Sequence, residues 1–522
     1  MFSRSAIAVL AALWACGGAD LGAQTGRSPL IPEIEAQRNG LTRAWFAQAE
    51  LDSSRDRIET LVLQDKQLIV QTRRGVIQRL DAETGKSYWS VNVGSSDNYT
   101  SAPAVNEKYV AVTNGSLLYV YDRENGSLVW KPKPLTGSAG AGLAIVDHVD
   151  SSSSPQKSTY HACLVTTSGI LEVHDLTDKT EYKDPSWQYH SGGHGLIQPV
   201  SAADRVAWGT DQGRFFVAHR SDPLATQPFQ VRFWATETGG DFVTQPARVL
   251  HPKPEKKKKD KTESLSIYYY IGSLDGYLYK FDPLVDEPDP EKTYTPWFLA
   301  GDPIVHRPIA VDGLVFFTTV AGRLYCVRGD LDTMQLAETV RRGAEERGEA
   351  PPEVENLEEE LEGTEVWSTT GIDKLIAISP TRLYGLDRDG RLRILRRDTG
   401  ALISVMSTEN QTLSLINHVN DRIYLGTKKG LIQCLHEPAL DQPVSLEIIG
   451  EKPDLPPKME QVEAEEQEPE DTPRGVEDLF GDDEGESPFG EDDPFGETSE
   501  DNGEEDNPFG GGDEGESADP FG

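Results

Sequence analysis

Two histidines are the first residues in the sequence whose spacing suggests chemistry. His190 and His194, in the run His-Ser-Gly-Gly-His, offer two imidazoles to a metal ion, but the sequence brings no third ligand near them. A glycine-rich loop is the interpretation we favour. Two short acidic loops that end at Gly213 and Gly276 lack the series of carboxylates of a calcium loop and fit β-hairpins better. Because there is also no nucleophile elbow and no phosphate-binding glycine loop, we predict no catalytic residue and no metal site.

The internal cysteines give no sign of redox or metal chemistry. Cys163, Cys326 and Cys434 lie far apart, each inside an apolar run that is typical of a strand. They form no Cys-x-x-Cys pair and no dense disulfide framework. We therefore expect buried thiols that pack as small hydrophobic side chains.

The N-terminus has the three parts of a secretory signal peptide. A short cationic start is followed by the apolar run 6–15 and then by small residues. This run is shorter than the roughly 20 apolar residues that span a membrane, and a buried helix is the alternative. We assign residues 1–23 to the signal, with cleavage after Ala19 or Ala23, and residues 24–43 to a linker. The protein is thus expected to be exported.

One cysteine in this region is a candidate lipidation site. Leu13-Trp14-Ala15-Cys16 resembles a bacterial lipobox, in which the cysteine is acylated, although a small residue is usual where this chain has Trp14. If the signal is instead cleaved further along, Cys16 is discarded with it. A lipid on Cys16 is the one membrane contact that we predict.

Charge is distributed unevenly along the 522 residues. The 50 Lys and Arg against 87 Asp and Glu give a net charge of −37. This balance argues against nucleic acid or an anionic membrane as the main partner, because both require a cationic face. Residues 451–522 hold 28 acidic and 3 basic side chains, which leaves −12 on the first 450 residues. That value is ordinary for a soluble domain.

The acidic tail, residues 451–522, has almost no aliphatic side chains, so we expect it to be disordered. It repeats a Phe-Gly pair at roughly even spacing. The phenylalanines of these pairs are Phe480, Phe489, Phe495, Phe509 and Phe521. Aromatic side chains spaced along an acidic chain suit weak multivalent docking to a partner. The alternative is a solubilising tail that repels itself.

The region between the linker and the tail repeats a unit of about fifty residues. Residues 61–98 contain four short β-branched runs separated by turn residues, which predicts an antiparallel four-stranded meander. In the turn 81–86, Asp81 can accept hydrogen bonds from backbone N–H groups and Gly85 can supply the positive φ of the reversal. The opening strands of the units fall near residues 61, 104, 143, 200, 247, 309, 375 and 414.

Eight such units predict an all-β fold, an eight-bladed β-propeller of four-stranded antiparallel sheets over residues 44–450. A ring buries both faces of every blade, whereas a linear stack leaves two apolar ends. Seven blades are the alternative count. Ring closure predicts that the strand 44–51 completes the last blade, with Trp45 replacing the tryptophan that the last unit lacks. In the other interpretation, residues 444–449 form that strand and residues 44–51 a helical cap.

Two insertions are expected to extend beyond the propeller. Residues 251–263 contain Lys256–Lys259 and Lys261, a solvated basic extension that can also contact an acidic partner. Residues 331–363 contain two helix-like pieces on either side of Pro351-Pro352. Because their apolar positions are sparse, we expect marginal helices or a mobile loop.

Most units close at a tryptophan. These residues are Trp89, Trp130, Trp187, Trp234, Trp297 and Trp367. The sequence Asp81-x-x-Thr84-Gly85-Lys-x-x-Trp89 resembles the tryptophan-docking motif of PQQ-type propeller repeats, and Asp122, Gly126 and Trp130 form a looser copy. The resemblance implies that each tryptophan stacks between blades and bonds to the backbone of the neighbouring blade.

Two families share these repeats: the quinoprotein alcohol and glucose dehydrogenases, and the non-catalytic BamB-type outer-membrane assembly factors. Similarity to the dehydrogenases would imply a quinone held over a disulfide of adjacent cysteines, beside calcium ligands and a catalytic aspartate. This chain has no adjacent cysteines, and its aspartates lie mostly in turns. We therefore predict a protein that is not an enzyme and has no cofactor.

The sequence as a whole predicts a non-catalytic exported propeller that acts as a protein-binding scaffold at the cell envelope. Similarity to the BamB type implies a place in the periplasm or on the periplasmic face of the outer membrane, with outer-membrane assembly components as partners. We expect a monomer that binds no nucleic acid. The alternatives are a PQQ-dependent quinoprotein oxidoreductase and an exported sensor or adhesion module.

Overall fold

The described part of the protein is built almost entirely of β-strands. The computed structural model describes residues 30–150, 157–177, 185–202, 204–220, 229–236, 239–252, 265–283, 293–294, 296–329 and 362–446. Strand β1 (Thr42–Gln48) follows one short helix, α1 (Glu33–Arg38). The predicted signal peptide, Cys16, the lysine run, the two helix-like pieces and the acidic tail with its phenylalanines lie outside the described residues.

The first four blades follow one another directly along the chain, each an antiparallel meander. Blade 1 consists of β2 (Ile58–Gln64), β3 (Gln67–Thr72), β4 (Val76–Asp81) and β5 (Ser87–Asn92). Blade 2 consists of β6 (Ala104–Val105), β7 (Tyr109–Asn114), β8 (Leu117–Asp122) and β9 (Lys133–Pro134). Blade 3 consists of β10 (Ala139–Asp150), β11 (Lys157–Thr166), β12 (Ile170–Asp175) and β13 (Trp187–His190). Blade 4 consists of β14 (Val200–Ala202), β15 (Arg205–Gly209), β16 (Arg214–Arg220) and β17 (Phe229–Thr236).

The remaining blades follow the same plan with two departures. Blade 5 consists of β18 (Ala247–Pro252), β19 (Leu265–Gly272), β20 (Tyr277–Phe281) and β22 (Phe298–Leu299), while β21 (Thr293–Tyr294) adds a fifth, parallel strand to blade 4. Blade 6 consists of β23 (Ile309–Val311), β24 (Leu314–Thr318), β25 (Arg323–Arg328) and β26 (Glu365–Thr370). Blade 7 consists of β27 (Lys374–Ile378), β28 (Arg382–Leu386), β29 (Leu392–Arg396) and β30 (Leu402–Met406). Blade 8 consists of β31 (Leu413–Ser414), β32 (Ile423–Gly426), β33 (Leu431–His436) and, out of chain order, β1.

The N-terminal strand closes the ring, as the sequence predicts. Strand β1 pairs antiparallel with β33 and becomes the outermost strand of blade 8, with Trp45 opposite Cys434. The alternative of a helical cap over residues 44–51 is therefore not adopted. Packing also begins before residue 44: Ile31, Ala36 and Leu41 are buried between blades 7 and 8, so α1 is part of the propeller body.

Eight hydrophobic clusters fill the eight interfaces between successive blades, including the one between blade 8 and blade 1. The strands are buried on both faces, which explains why they read as nearly continuous apolar runs. Aromatic rings dominate the interface of blades 4 and 5, where Phe215 stacks on Phe281 with ring centroids 4.4 Å apart. The eight-bladed propeller is thereby confirmed.

The three described cysteines are buried free thiols, as predicted. Burial raises the pKa of Cys163, and it raises the pKa of both Cys326 and Cys434 to about 12. A thiol with so high a pKa holds almost no thiolate at neutral pH, so these cysteines are chemically inert.

Strand direction sorts the loops onto two faces. One face carries the turn between the second and third strand of each blade and the loops that lead from one blade to the next. We call it the inter-blade face. The opposite face carries the other two connections of each blade, and we call it the insertion face. Both predicted insertions connect strands on the insertion face, as does the approach to β1 through α1. Within the described ranges, no helix is long and apolar enough to cross a membrane.

Candidate functional site

The inter-blade face is built from turns of one repeated design. In seven blades the turn runs Thr, Ser or Asp, then two variable residues, then Gly. These turns are 72–75, 166–169, 210–213, 273–276, 319–322, 387–390 and 427–430. Each glycine has a positive φ, for example +77° at Gly322 and +78° at Gly390, a conformation that other residues adopt only with strain. In four of these turns the side-chain oxygen of the first residue accepts the N–H that follows the glycine, as Thr72 Oγ1 does from Val76 at 3.0 Å; the other three begin at Thr166, Asp387 and Thr427.

Hydrogen bonds join these turns into a ring. Where the fourth strand of a blade ends, the chain donates to the turn of its own blade; Val93 N–H, for example, reaches the Gly75 carbonyl at 2.8 Å. Loops between blades also bond the turn of the next blade. Between blades 5 and 6, for example, the Pro303 carbonyl in the loop accepts the N–H of Val320 in the turn of blade 6 at 2.9 Å. Because turns and loops hold each other around the axis, this face presents side chains from a fixed backbone.

An apolar patch lies on this face over blades 5 and 6. We define it as Leu274, Val305 and Val320, which are 38%, 36% and 40% exposed. The three are held close together, since Ile304 N–H donates to the Ser273 carbonyl at 3.1 Å and Val320 N–H to the Pro303 carbonyl at 2.9 Å. These three aliphatic side chains offer a small apolar area that a partner can bury.

Polar side chains link the innermost strands of several blades. Gln198 donates to the Leu143 carbonyl at 2.9 Å, and Gln245 donates to Gln198 at 3.1 Å. Arg307 in turn lies 3.1 Å from Nε2 of His418 and so joins blades 6 and 8, which are not neighbours. Burial, followed by the charges of Arg307 and Arg248, holds the pKa of His418 well below its usual range. A neutral His418 can therefore accept a hydrogen bond from Arg307.

Trp89 docks onto the neighbouring blade in the manner implied by the PQQ-type repeat. Its indole Nε1 donates to the Arg123 carbonyl of blade 2 at 2.9 Å. The ring lies over Gly126, where an added Cβ would come within 2.8 Å of it. Asp122 shapes this turn by accepting the N–H of Glu124 at 3.0 Å.

The turn of blade 1 is built in the same way and receives Trp45 from blade 8. Asp81 accepts both the N–H and the hydroxyl of Thr84 at 2.8 Å. Gly85 adopts φ +70° beneath the indole of Trp45. These turns lie on the insertion face, so the motif holds blades together and is separate from the inter-blade face.

The other predicted docking tryptophans differ in detail. Trp187, Trp234 and Trp367 lie on fourth strands, whereas Trp130 and Trp297 precede the short strands β9 and β22. Trp367 packs over Gly400 of blade 7, where an added Cβ would lie 2.5 Å from the ring. The buried indole nitrogens of Trp130, Trp234 and Trp367 have no hydrogen-bond partner among the described residues. At these three positions the ring docks without an indole hydrogen bond to the described residues.

Of the two candidate metal-binding histidines, His190 ends strand β13 and His194 lies in the loop between blades 3 and 4. Nδ1 of His194 is 2.7 Å from the Thr167 carbonyl, and its backbone N–H donates to Asp211 at 2.7 Å. His194 therefore links the turns of two blades. Across the described ranges, no three His, Cys, Asp or Glu side chains are grouped so that they can hold a metal ion.

The sequence singles out the turns that end at Gly213 and Gly276 only as possible calcium loops, and it identifies no turn tip as a contact surface. The signal for the tips is the spacing Thr-x-x-Gly, as in Thr72-Arg-Arg-Gly75 and Thr427-Lys-Lys-Gly430. Each variable pair lies at the outermost point of a turn and is exposed in both examples. Aligning the eight units on this glycine would have identified the tips.

Part of the chain is similar to a known protein family. Residues 36–154 match the PQQ-type family model described as outer membrane protein assembly factor BamB. Among many similar solved structures, the crystal structure of BamB from Moraxella catarrhalis is 15% identical, covers 76% of this chain and 99% of its own, and has a TM-score of 0.48. The computationally designed Ika8 protein is 14% identical, with 76% and 99% coverage and a TM-score of 0.46.

No curated protein matches the sequence. The family model covers β1 and blades 1 and 2, where the docking geometry of Trp45 and Trp89 is most complete. With its eight blades closed by an N-terminal strand, the chain is an eight-bladed β-propeller whose residues 36–154 are similar to the PQQ-like repeat.

Proposed function

We propose that this protein is a non-catalytic, exported scaffold that binds other proteins at the cell envelope, with a role in outer-membrane protein assembly. The observation that carries the proposal is the ring of interlocked turns on the inter-blade face. A fixed backbone lowers the entropy lost when a partner docks. The apolar patch supplies water-exposed surface that a partner can bury.

Two further observations support a scaffold. The family model that matches residues 36–154 describes an outer-membrane assembly factor. The sequence also lacks the adjacent cysteines over which quinoprotein dehydrogenases hold their quinone. The signal-peptide pattern at the N-terminus supports the periplasm, or the periplasmic face of the outer membrane, as the place of action.

Crosslinking in the native envelope tests the proposal. A photoreactive amino acid replaces Val320 in one variant and Lys66 in a control; Lys66 is exposed and lies on the insertion face. We expect discrete crosslinked bands at position 320, with envelope proteins identified by mass spectrometry, and few at position 66. Equal yields at both positions, or none at either, would contradict docking on the inter-blade face.

A second measurement separates the scaffold from the quinoprotein alternative. The purified protein is incubated with PQQ and calcium, and dye-linked alcohol oxidation is followed together with the ultraviolet–visible spectrum. We expect no turnover and an unchanged quinone spectrum. Turnover would replace the scaffold proposal by an oxidoreductase.

A further inference from the structure

Charged side chains are distributed unevenly around the inter-blade face. Blades 6, 7, 8 and 1 are consecutive in the ring, and the ends and tips of their repeated turns carry six exposed cations. These residues, which we call the cationic arc, are Arg323, Arg388, Lys428, Lys429, Arg73 and Arg74. The exposed acid within the same four turns is Asp389, which pairs with Arg391 at 2.7 Å. In blades 2 to 5, Arg214 is the exposed cation of the corresponding turns.

The backbone of the arc is fixed on both sides. Lys428 N–H donates to Thr412 Oγ1 at 3.1 Å, and Arg74 N–H donates to Asp56 at 3.1 Å. The guanidinium of Arg388 donates to the Val320 carbonyl at 2.7 Å, so the arc begins at the apolar patch. The cations and the patch therefore form one continuous surface with a set spacing.

Some carboxylates in the loops beside the arc are engaged by neighbouring groups, and one lies beside the arc itself, since Asp97 is 4.0 Å from Arg74. Asp52 accepts the N–H and the hydroxyl of Ser54 at 3.0 and 2.6 Å. Asp56 accepts the N–H of Arg57 at 2.8 Å as well as that of Arg74. Six exposed cations against one exposed acid within the four turns give the arc a net positive charge.

We propose that the cationic arc and the apolar patch together form the docking surface for an acidic segment of a partner protein that carries an apolar side chain at one end. The inference rests on the proposed function and names its surface and partner class. The first 450 residues carry a net charge of −12, so a group of six exposed cations is a local site of attraction for an acidic segment. The arc both attracts such a segment and fixes its position, while the patch sets its direction.

A binding assay with the full chain tests the assignment. The probe is a fluorescein-labelled peptide of Asp and Glu that ends in one Phe, and the matched probe replaces the acids by Asn and Gln. We expect the acidic probe alone to bind, and its affinity to fall steeply with salt, because the Debye length shortens from about 10 Å at 0.1 M to about 3 Å at 1 M.

Charge reversal localises the binding. The triple variant R388E/K428E/K429E is expected to lose about tenfold or more in affinity for the acidic probe, since it converts three attractive contacts into repulsive ones. The matched control R214E lies on the same face outside the arc and should change affinity by less than about twofold. Equal losses in both variants, or no loss in the triple variant, would overturn the assignment.

Other occupants give different results. Binding to vesicles that contain anionic phospholipid, without binding to the acidic probe, would assign the arc to a lipid surface. Probe binding that is detected only after deletion of residues 452–522 would assign it to the acidic tail; either result overturns the proposal. If position 320 crosslinks to an envelope protein but the probe does not bind, the docking assignment fails while the proposed function stands.

Discussion

The indole of Trp45 lies directly over Gly85, and this contact closes the ring between the last blade and the first. A Cβ at position 85 would lie 2.5 Å from Cε3 of the ring. The indole Nε1 donates to the Ala82 carbonyl at 2.9 Å in the same turn. Strand β1 is the outermost strand of blade 8 and carries Trp45, whereas Gly85 belongs to blade 1. The contact between these two residues therefore joins the last blade to the first.

Substitution of Gly85 measures that contact. Gly85→Ala adds a methyl group where the indole lies and also forces an alanine to adopt φ +70°. Gly301→Ala is the matched control, because Gly301 has φ +84° but nothing within 4 Å of an added Cβ. We expect about 1 kcal/mol of destabilisation in the control, from the backbone alone, and 1–3 kcal/mol more, roughly, in Gly85→Ala. Urea unfolding gives both values, and equal losses would contradict the steric contact.

Removal of a single hydrogen-bond donor separates the bond of Trp45 from its packing. Trp45→Phe keeps an aromatic ring and loses the donor to Ala82. Trp367→Phe is the control, since the buried indole nitrogen of Trp367 has no partner in the described part of the chain. We expect Trp45→Phe to lower the free energy of unfolding by about 1 kcal/mol more than Trp367→Phe. A larger loss at Trp367 would mean that ring volume, and not the hydrogen bond, decides the result.

Much of this architecture was predictable from the sequence because each blade is a local meander. All eight opening strands begin within a few residues of their predicted positions, since turn glycines and β-branched runs mark every unit. Trp45 was identifiable as the closing residue because the unit that ends near Gly430 lacks a tryptophan of its own. Helix α1 fell inside the predicted linker, since its six residues contain one buried side chain, Ala36, and give no periodic signal.

The candidate site was less accessible to sequence reasoning. The arc combines residues from both ends of the repeat region, such as Arg73 and Lys428, and they share a surface because the ring closes. The apolar patch consists of isolated side chains from separate loops, and a lone exposed valine has no sequence signature. The strands β9, β21 and β22 have two residues each, too few for any periodicity to show.

Deletion of the closing strand tests how strongly the ring depends on it. Removing residues 30–51 deletes Trp45 and exposes the edge of β33 together with the apolar side chains of the same cluster, among them Leu61 and Tyr424. Because an open sheet edge and an apolar face favour association, we expect a protein that unfolds at lower urea concentration and aggregates in light scattering. Deletion of residues 452–522 is the control, and we expect it to leave the urea midpoint of the propeller unchanged. A monomeric, equally stable protein without β1 would show that the N-terminal strand is dispensable.

The buried histidines predict a weakening of the fold in mild acid. Burial is the main cause that lowers the pKa of His161 to about 4, with smaller contributions from Arg220 and His148. The unfolded chain takes up this proton near pH 6.5, whereas the folded chain takes it up only near pH 4. The contribution of His161 to the free energy of unfolding is therefore complete above about pH 6.5. It is lost progressively as the pH falls to about 4, by at most about 3 kcal/mol.

Urea unfolding between pH 7.5 and 4.5 tests whether the free energy of unfolding falls as the pH falls. The variant His161→Gln cannot take up the proton, so its free energy of unfolding should fall less steeply with decreasing pH, whatever its value at pH 7.5. Part of the slope should remain, because burial also lowers the pKa of His219, His306 and His418. His194→Gln, at an exposed site, is the control and should follow the unmodified protein. Identical pH slopes for His161→Gln and the unmodified protein would show that His161 is not buried in its neutral form.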